Sequence, residues 1–226
     1  MILITSYYKT DNENRQKELD ECLKKNVENS LISHIYLLND IIYDLNFINN
    51  KSKIKQFNII DDNKKLNFKD AIEFINSYCY KDIVILSNSD IYFDNSLSLI
   101  ENENFDNKIF CLLRHNIQND GSVDIFRHFG EPRSDSQDSW IFKSPLKVNT
   151  NDLNFTFGTL GCDNMFASII HEQGYHLSNP SYDIIIYHLH NEEERSYTEE
   201  ERIHGNYCLI QPHHLNESPS IRFMQY

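Results

Sequence analysis

Two carboxylates follow an apolar run in Ser87-Asn88-Ser89-Asp90-Ile91-Tyr92-Phe93-Asp94, directly behind Ile83-Val84-Ile85-Leu86. Hard oxygen ligands such as Asp90 and Asp94 suit Mg²⁺ or Mn²⁺, which often take one or two carboxylates and leave other positions to phosphates and water. Asn88 adds a neutral oxygen at the same corner. The spacing predicts a site for a cation and a nucleotide diphosphate; the structural alternative is an Asx-type turn that ends a strand. Placement favours the site, because open α/β sheets keep their ligands at the carboxyl ends of strands.

Three further groups carry chemistry. Asp163 follows Gly158-Thr159-Leu160-Gly161-Cys162 and opens a helical pattern. It reads either as a helix cap, a role Asn164 can share, or as a general base whose ionised form the helix dipole would favour. His188 and His190 alternate in Tyr187-His188-Leu189-His190, so an extended backbone points both to one side. They can complete a carboxylate metal shell, or they are surface and hydrogen-bonded histidines. Asp135-Ser136-Gln137-Asp138-Ser139 leads into the only tryptophan, Trp140, which reads as a sugar-stacking face or as core, with core the better reading. Arg114, Arg127, Arg133 and Arg195 can pair with diphosphate or with surface acids. No GxGxxG, Walker or GxSxG pattern is present, which disfavours dinucleotide enzymes, P-loop enzymes and serine hydrolases.

These groups need elements to hold them. Hydrophobic periodicity predicts strands over Ile2–Tyr8, His34–Leu38, Ile54–Ile60, Lys81–Leu86, Ile109–Leu113, Ser139–Phe142 and Asp183–His188. Helices are expected over about Arg15–Val27, a surface helix thin in apolar residues, over Asn67–Tyr78 with Asn67 as cap, and from Asp163 to near Gly174. Alternation over the first ninety residues argues βαβ units and a mostly parallel sheet. Asn191–Tyr226 reads as a polar tail.

The 226 residues are enough for one large domain with its own core, and 40% hydrophobic content with scarce Gly and Pro argues against disorder. A net charge of −13, without a Lys/Arg block, excludes nucleic acid as an expected partner. Five scattered cysteines without a CxxC pair read as reduced thiols, mostly buried. Met1 runs straight into Ile2-Leu3-Ile4 with neither a basic n-region nor a long apolar segment, so the expectation is a cytoplasmic chain without a transmembrane span.

The order of these pieces, from Ile2 to about Tyr197, resembles glycosyltransferases of the GT-A fold. Ile83 to Asp94 resembles their strand and acidic motif, with Asn88 at the first position of the usual Asp-x-Asp. Phe157 to Asn164 is similar to their acceptor-side motif, with Cys162-Asp163 where a Glu-Asp pair is usual. Asn179 through His190 resembles the late strand whose histidine completes the metal shell. The set also resembles uncharacterised glycosyltransferase-like proteins carrying Asn-x-Asp-Ile-x-Phe-Asp and Gly-Cys-Asp-Asn.

The resemblance implies a single α/β domain over residues 1–226, a mostly parallel mixed sheet flanked by helices. Its nucleotide-binding half would span about 1–100, its acceptor half about 101–200, and the tail 201–226. It implies a nucleotide-sugar donor, a UDP-sugar first and a GDP-sugar second, with Mn²⁺ or Mg²⁺ at Asp90, Asp94 and His188 or His190. Thr5, Ser6, Tyr7, Tyr8, Asn39 and Asp40 would hold base and ribose, with Lys65 and Lys69 nearby and Asn88, Ser89 and Asp90 at the diphosphate. Asp163 would be the base of an inverting transfer to a glycan, lipid or protein acceptor. The competing readings are a non-catalytic sugar-nucleotide or glycan-binding module and a metal-dependent nucleotidyltransferase.

Overall fold

The computed structural model describes residues 1–61, 64–118, 120–189 and 199–226. The chain opens with β1 (Ile2–Thr5), α1 (Glu13–Glu28), β2 (His34–Asn39), β3 (Ile54–Asn58), α2 (Phe68–Tyr78), β4 (Ile83–Ser87) and β5 (Ile91–Phe93). A 3₁₀ turn over Asn95–Asn102 leads to β6 (Lys108–Leu112), β7 (His115–Ile117), β8 (Val123–Ile125), β9 (Arg127–His128), β10 (Glu131–Pro132) and β11 (Ser139–Lys143). The last elements are α3 (Cys162–Glu172), β12 (His176–Ser178), β13 (Ile186–Leu189), β14 (Asn206–Ile210) and β15 (Ile221–Gln225).

The main sheet has the order β12-β6-β11-β4-β1-β2-β3. Its pairs are parallel except at β11, which runs against both β4 and β6. A smaller sheet, β5-β13-β7-β8, begins where β4 ends. Period-two alternation splits the core into two faces. Ile2, Ile4, Val84 and Leu86 pack with α2 and α3, whereas Leu3, Ile85 and Leu37 pack with α1. Trp140, 1% exposed, lies in the first of these and is core. All five cysteines are free and buried. Among the described residues no helix is long and apolar enough to cross a membrane.

The first helix is more deeply seated than its composition suggests. Leu19, Cys22, Leu23, Asn26 and Val27 are buried, a complete i, i+3, i+4, i+7, i+8 stripe that includes a polar member. Asn26 explains itself: its Nδ2 donates to the Ile91 carbonyl at 2.8 Å and its Oδ1 accepts from the Phe93 amide at 3.2 Å. Asn29 Nδ2 donates to the Phe93 carbonyl at 3.0 Å. The helix thus pairs with the edge of β5 as a further strand would, which ties α1 to the Asp90 corner.

Two corrections concern the expected elements. Residues 91–93, absent from the strands that periodicity predicts, form β5, because β13 and α1 together satisfy its backbone. The segment read as a polar tail contains β14, whose Tyr207, Cys208, Leu209 and Ile210 are buried, with Cys208 and Ile210 in the same core cluster as Phe166 and Ala167 of α3. The polar residues of sequence 191–206 and 211–220 flank this strand and mask it in any average over the segment.

Candidate active site

The parallel strands β1, β2 and β4 end on one edge, and β11 starts there because it runs the opposite way. Asn88, Ser89 and Asp90 leave β4 at this edge, all half-buried. Asp90 Oδ2 receives Arg15 Nη2 at 2.7 Å and lies 3.3 Å from His188 Nε2. The antiparallel register that sets His188 against Ile91 brings the imidazole to this carboxylate. Burial pushes the Asp90 carboxyl up, but His188 and Arg15 more than reverse it and hold it well below the usual carboxylate range.

Asp94 does not join this group. It sits at the other end of β5, about 13 Å along an extended strand. There its Oδ1 accepts the Ser96 amide at 2.8 Å as the cap of the 3₁₀ turn, and its Oδ2 accepts the Tyr187 hydroxyl at 2.8 Å. Capping and the tyrosine use both oxygens, so the metal role expected for Asp94 finds no geometry here. His190 lies outside the described residues.

Asp163 stands in the first turn of α3, but the cap is Gly161, which has φ 84° and makes no side-chain cap bond. Neither Asp163 nor Asn164 caps the helix. Asp163 Oδ2 accepts the Gln137 amide at 2.9 Å and Oδ1 accepts the Asn164 amide at 2.9 Å. Its pKa is nonetheless raised to about 7, chiefly by burial, with Asp138 and Asp135 adding to the rise against those two amides. The helix dipole, expected to favour the ionised form, is outweighed. A carboxyl that titrates near neutrality is suited to proton transfer.

Asp138 links the two carboxylates. Its carbonyl accepts the Asn88 amide at 3.0 Å, and its Oδ1 accepts Asn88 Nδ2 at 3.2 Å and Arg114 Nη1 at 3.0 Å. Arg114 is itself stacked on Phe126, 4.1 Å from the ring centre. Residue 137, which binds Asp163, adjoins residue 138, which binds Asn88, so Asp90 and Asp163 occupy one edge without touching. Asp138 Oδ2 is buried and has no hydrogen-bond partner among the described residues.

The residues expected around base and ribose divide by burial. Thr5 ends β1 and is 5% exposed. Tyr7 is 2% exposed; its amide donates to Asn39 Oδ1 at 2.8 Å and its hydroxyl to Asp20 at 2.5 Å. Asn39, 1% exposed, spends its Nδ2 on Gln56 at 3.1 Å. Tyr7 and Asn39 therefore build the floor of this edge and present no face to a ligand, because both are consumed in joining β1 to β2. Asp40 accepts the Tyr43 hydroxyl at 2.8 Å. The exposed aromatic in this loop is Tyr8, whose hydroxyl is 3.5 Å from Arg15 Nη2. Lys69 reaches Asn151 at 3.2 Å, and Ser89 remains beside Asp90.

Arg133 pairs with Asp135 at 2.7 Å and Arg127 with Asp124 at 3.2 Å; Arg195 lies outside the described residues. Two participants were absent from the sequence reading, Arg15 and the bridging role of Asp138. An arginine in the first turn of a helix is a signal available in sequence, since a cation there opposes the dipole. The Asp138 link depends on strand pairing and has no local signal.

The residues present fit a divalent cation in part. Among the described residues no group of three or more His, Cys, Asp or Glu side chains gathers as a metal cage. Asp90 and His188 do converge, and a Mg²⁺ or Mn²⁺ that also binds phosphates needs only one or two protein ligands.

No protein-family model matches the sequence, and no curated protein matches it. Solved structures do match in fold. Staphylococcus aureus TarS residues 1–349, in complex with UDP-GlcNAc, align with 86% of this chain at 14% identity and a TM-score of 0.55. The Pyrobaculum calidifontis mannosyltransferase PcManGT, with GDP-Man and Mn²⁺, aligns with 86% at 10% identity and a TM-score of 0.51. GalNAc-T7, with UDP, GalNAc and Mn²⁺, aligns with 85% at 11% identity and a TM-score of 0.50. The chain spans 59% of the TarS chain and 58% of the mannosyltransferase. Its architecture, a mostly parallel mixed sheet flanked by helices, is the GT-A glycosyltransferase fold.

Proposed function

We propose that the chain transfers a glycosyl group from a nucleotide-diphosphate sugar, UDP- or GDP-linked, to an acceptor hydroxyl with inversion. The observation that supports it best is Asp163: a half-buried carboxyl with a pKa near 7, on the same strand-end edge as Asp90. In this reading the acceptor oxygen attacks the anomeric carbon while Asp163 takes the hydroxyl proton. The bond from that carbon to the diphosphate breaks, and the nucleoside diphosphate leaves. Direct attack with Asp163 as base and no covalent intermediate gives inversion; in this reading the neighbouring Asp138 and Asp135 stay paired with Arg114 and Arg133 and take no part as nucleophile.

When a divalent cation is bound, Asp90 and His188 would hold it, and its charge would stabilise the departing diphosphate. Tyr8 offers an aromatic face to the base, and the buried Asp138 Oδ2 offers an acceptor to a sugar hydroxyl. A positioned general base contributes about 10²–10⁴-fold, so positioning and electrostatics must supply the rest.

A panel of UDP-, GDP-, CMP- and dTDP-sugars, with and without Mn²⁺, tests the reading by thermal shift and by release of nucleoside diphosphate. A donor at about a hundredfold over its dissociation constant stabilises the fold by about 2.7 kcal/mol. Release that Asp163→Asn abolishes, with donor binding intact, is the expected result. Binding without release would make the chain a binding module, pyrophosphate chemistry would make it a nucleotidyltransferase, and no response to any donor would remove the proposal.

A further inference from the structure

Arg15 sits where helix physics disfavours it. Asn12 caps α1 by accepting the Asn14 and Arg15 amides, so Arg15 is the third residue of the first turn, next to the positive end of the dipole. Its position is explained by tertiary contacts. Nη2 meets Asp90 Oδ2 at 2.7 Å, Nη1 meets Glu18 Oε2 at 3.0 Å, and Glu18 is itself 2% exposed. His188 Nε2 approaches the same Asp90 oxygen at 3.3 Å.

The carboxylate charge at this corner comes from Asp90 and Glu18, and Arg15 pairs with both. Asn88 contributes none, and its amide is turned to Asp138 at 3.2 Å. Asp94 is engaged at the far end of β5. A divalent ion arriving at Asp90 would meet one carboxylate already held by a guanidinium, with like charges brought together. The planar fork of arginine is also a geometry that pairs with phosphate oxygens.

We propose that Arg15 is a built-in cation of the donor site, competing with a divalent ion for Asp90 and pairing with the donor diphosphate, so that nucleotide binding does not require metal. This inference rests on the glycosyl-transfer reading for the identity of the diphosphate, but the competition for Asp90 does not depend on it.

The test uses the whole chain and two binding measurements. Mn²⁺ affinity without nucleotide is read from the paramagnetic resonance of free Mn²⁺, and UDP and GDP affinity is read by calorimetry in EDTA. Arg15→Gln should bind Mn²⁺ about tenfold more tightly than wild type and the better nucleotide about tenfold more weakly, the scale of one lost charge-assisted hydrogen bond. Arg15→Lys, which keeps the charge, should leave Mn²⁺ affinity near wild type and guards against a glutamine variant that fails to fold. Mn²⁺ affinity unchanged or lowered in a folded Arg15→Gln, or raised in Arg15→Lys, overturns the proposal. Nucleotides that bind wild type only with metal overturn it as well. If no nucleotide binds under any condition, the glycosyl-transfer reading fails, while the Mn²⁺ comparison still decides the competition for Asp90.

Discussion

Replacing Asp163 with asparagine should make the protein more stable at alkaline pH while removing the proposed base. The carboxyl has an ordinary value of 3.8 and stands near 7 in the fold, mainly because it is buried. Between those values the folded protein keeps a proton that the unfolded chain has released. Stability therefore falls as pH rises through the window. At 1.36 kcal/mol per pKa unit the full penalty is about 4 kcal/mol, of which about 2.5 kcal/mol develops between pH 5 and pH 8.

Asparagine does not titrate, so its cost does not change with pH. The two carboxyl oxygens each accept a backbone amide, from Gln137 and from Asn164. Asparagine has one carbonyl oxygen, which leaves one amide unmatched at about 1–3 kcal/mol. The two proteins should then be about equally stable at pH 5, and the variant ahead by about 1–3 kcal/mol at pH 8. Urea unfolding at half-unit pH steps measures the difference, and groups common to both proteins largely cancel. A difference constant to within about 0.5 kcal/mol from pH 5 to pH 8 refutes the raised pKa. Wild-type transfer should climb about tenfold per pH unit below pH 7 and level off above it, because the base acts ionised; a flat profile across pH 5–8 would remove Asp163 as the base.

Two other substitutions probe the framework. Asn26→Ala strips hydrogen bonds from both Ile91 and Phe93 of β5, leaving two buried backbone groups unmatched. It should cost about 3 kcal/mol in chemical denaturation, and a loss below about 0.5 kcal/mol would mean that α1 does not anchor β5. Gly161→Ala places a Cβ onto the Tyr207 ring and hydroxyl at a position with φ 84°. It should destabilise by more than about 2 kcal/mol, and Tyr207→Ala in the same chain should recover the steric part but not the backbone part, so strict additivity of the two changes would contradict the overlap.

The local code of the chain determined the βαβ first half, the three helices near their observed bounds and the polar corner after β4. Side chains that alternate in strands, or recur at helical spacing, report their own burial without help from distant residues. Asn67 could be read as the cap of α2 because it lies at the end of an element that the pattern already marks, whereas a late histidine beside Asp90 was only implied by the resemblance, with His188 and His190 both open. The small strands were not legible. Residues 91–93 are a strand only because β13 and Asn26 complete their hydrogen bonds. In β14, the flanking polarity hides an apolar run of four.

Which acids meet at the candidate site was decided in three dimensions. Asp90 and Asp94 look alike in sequence, yet one meets Arg15 and His188 and the other caps a turn. Tyr7 and Tyr8 are adjacent, yet one is 2% exposed and the other 36%. The Arg15–Asp90 pair spans 75 positions of chain. The charge state of Asp163 depends on burial beneath residues 135–138, a segment that reaches it only because β11 reverses direction in the sheet. Periodicity carries the direction of a side chain relative to its own element; desolvation and pairing energies depend on which element lies opposite, and that is a property of the packed sheet.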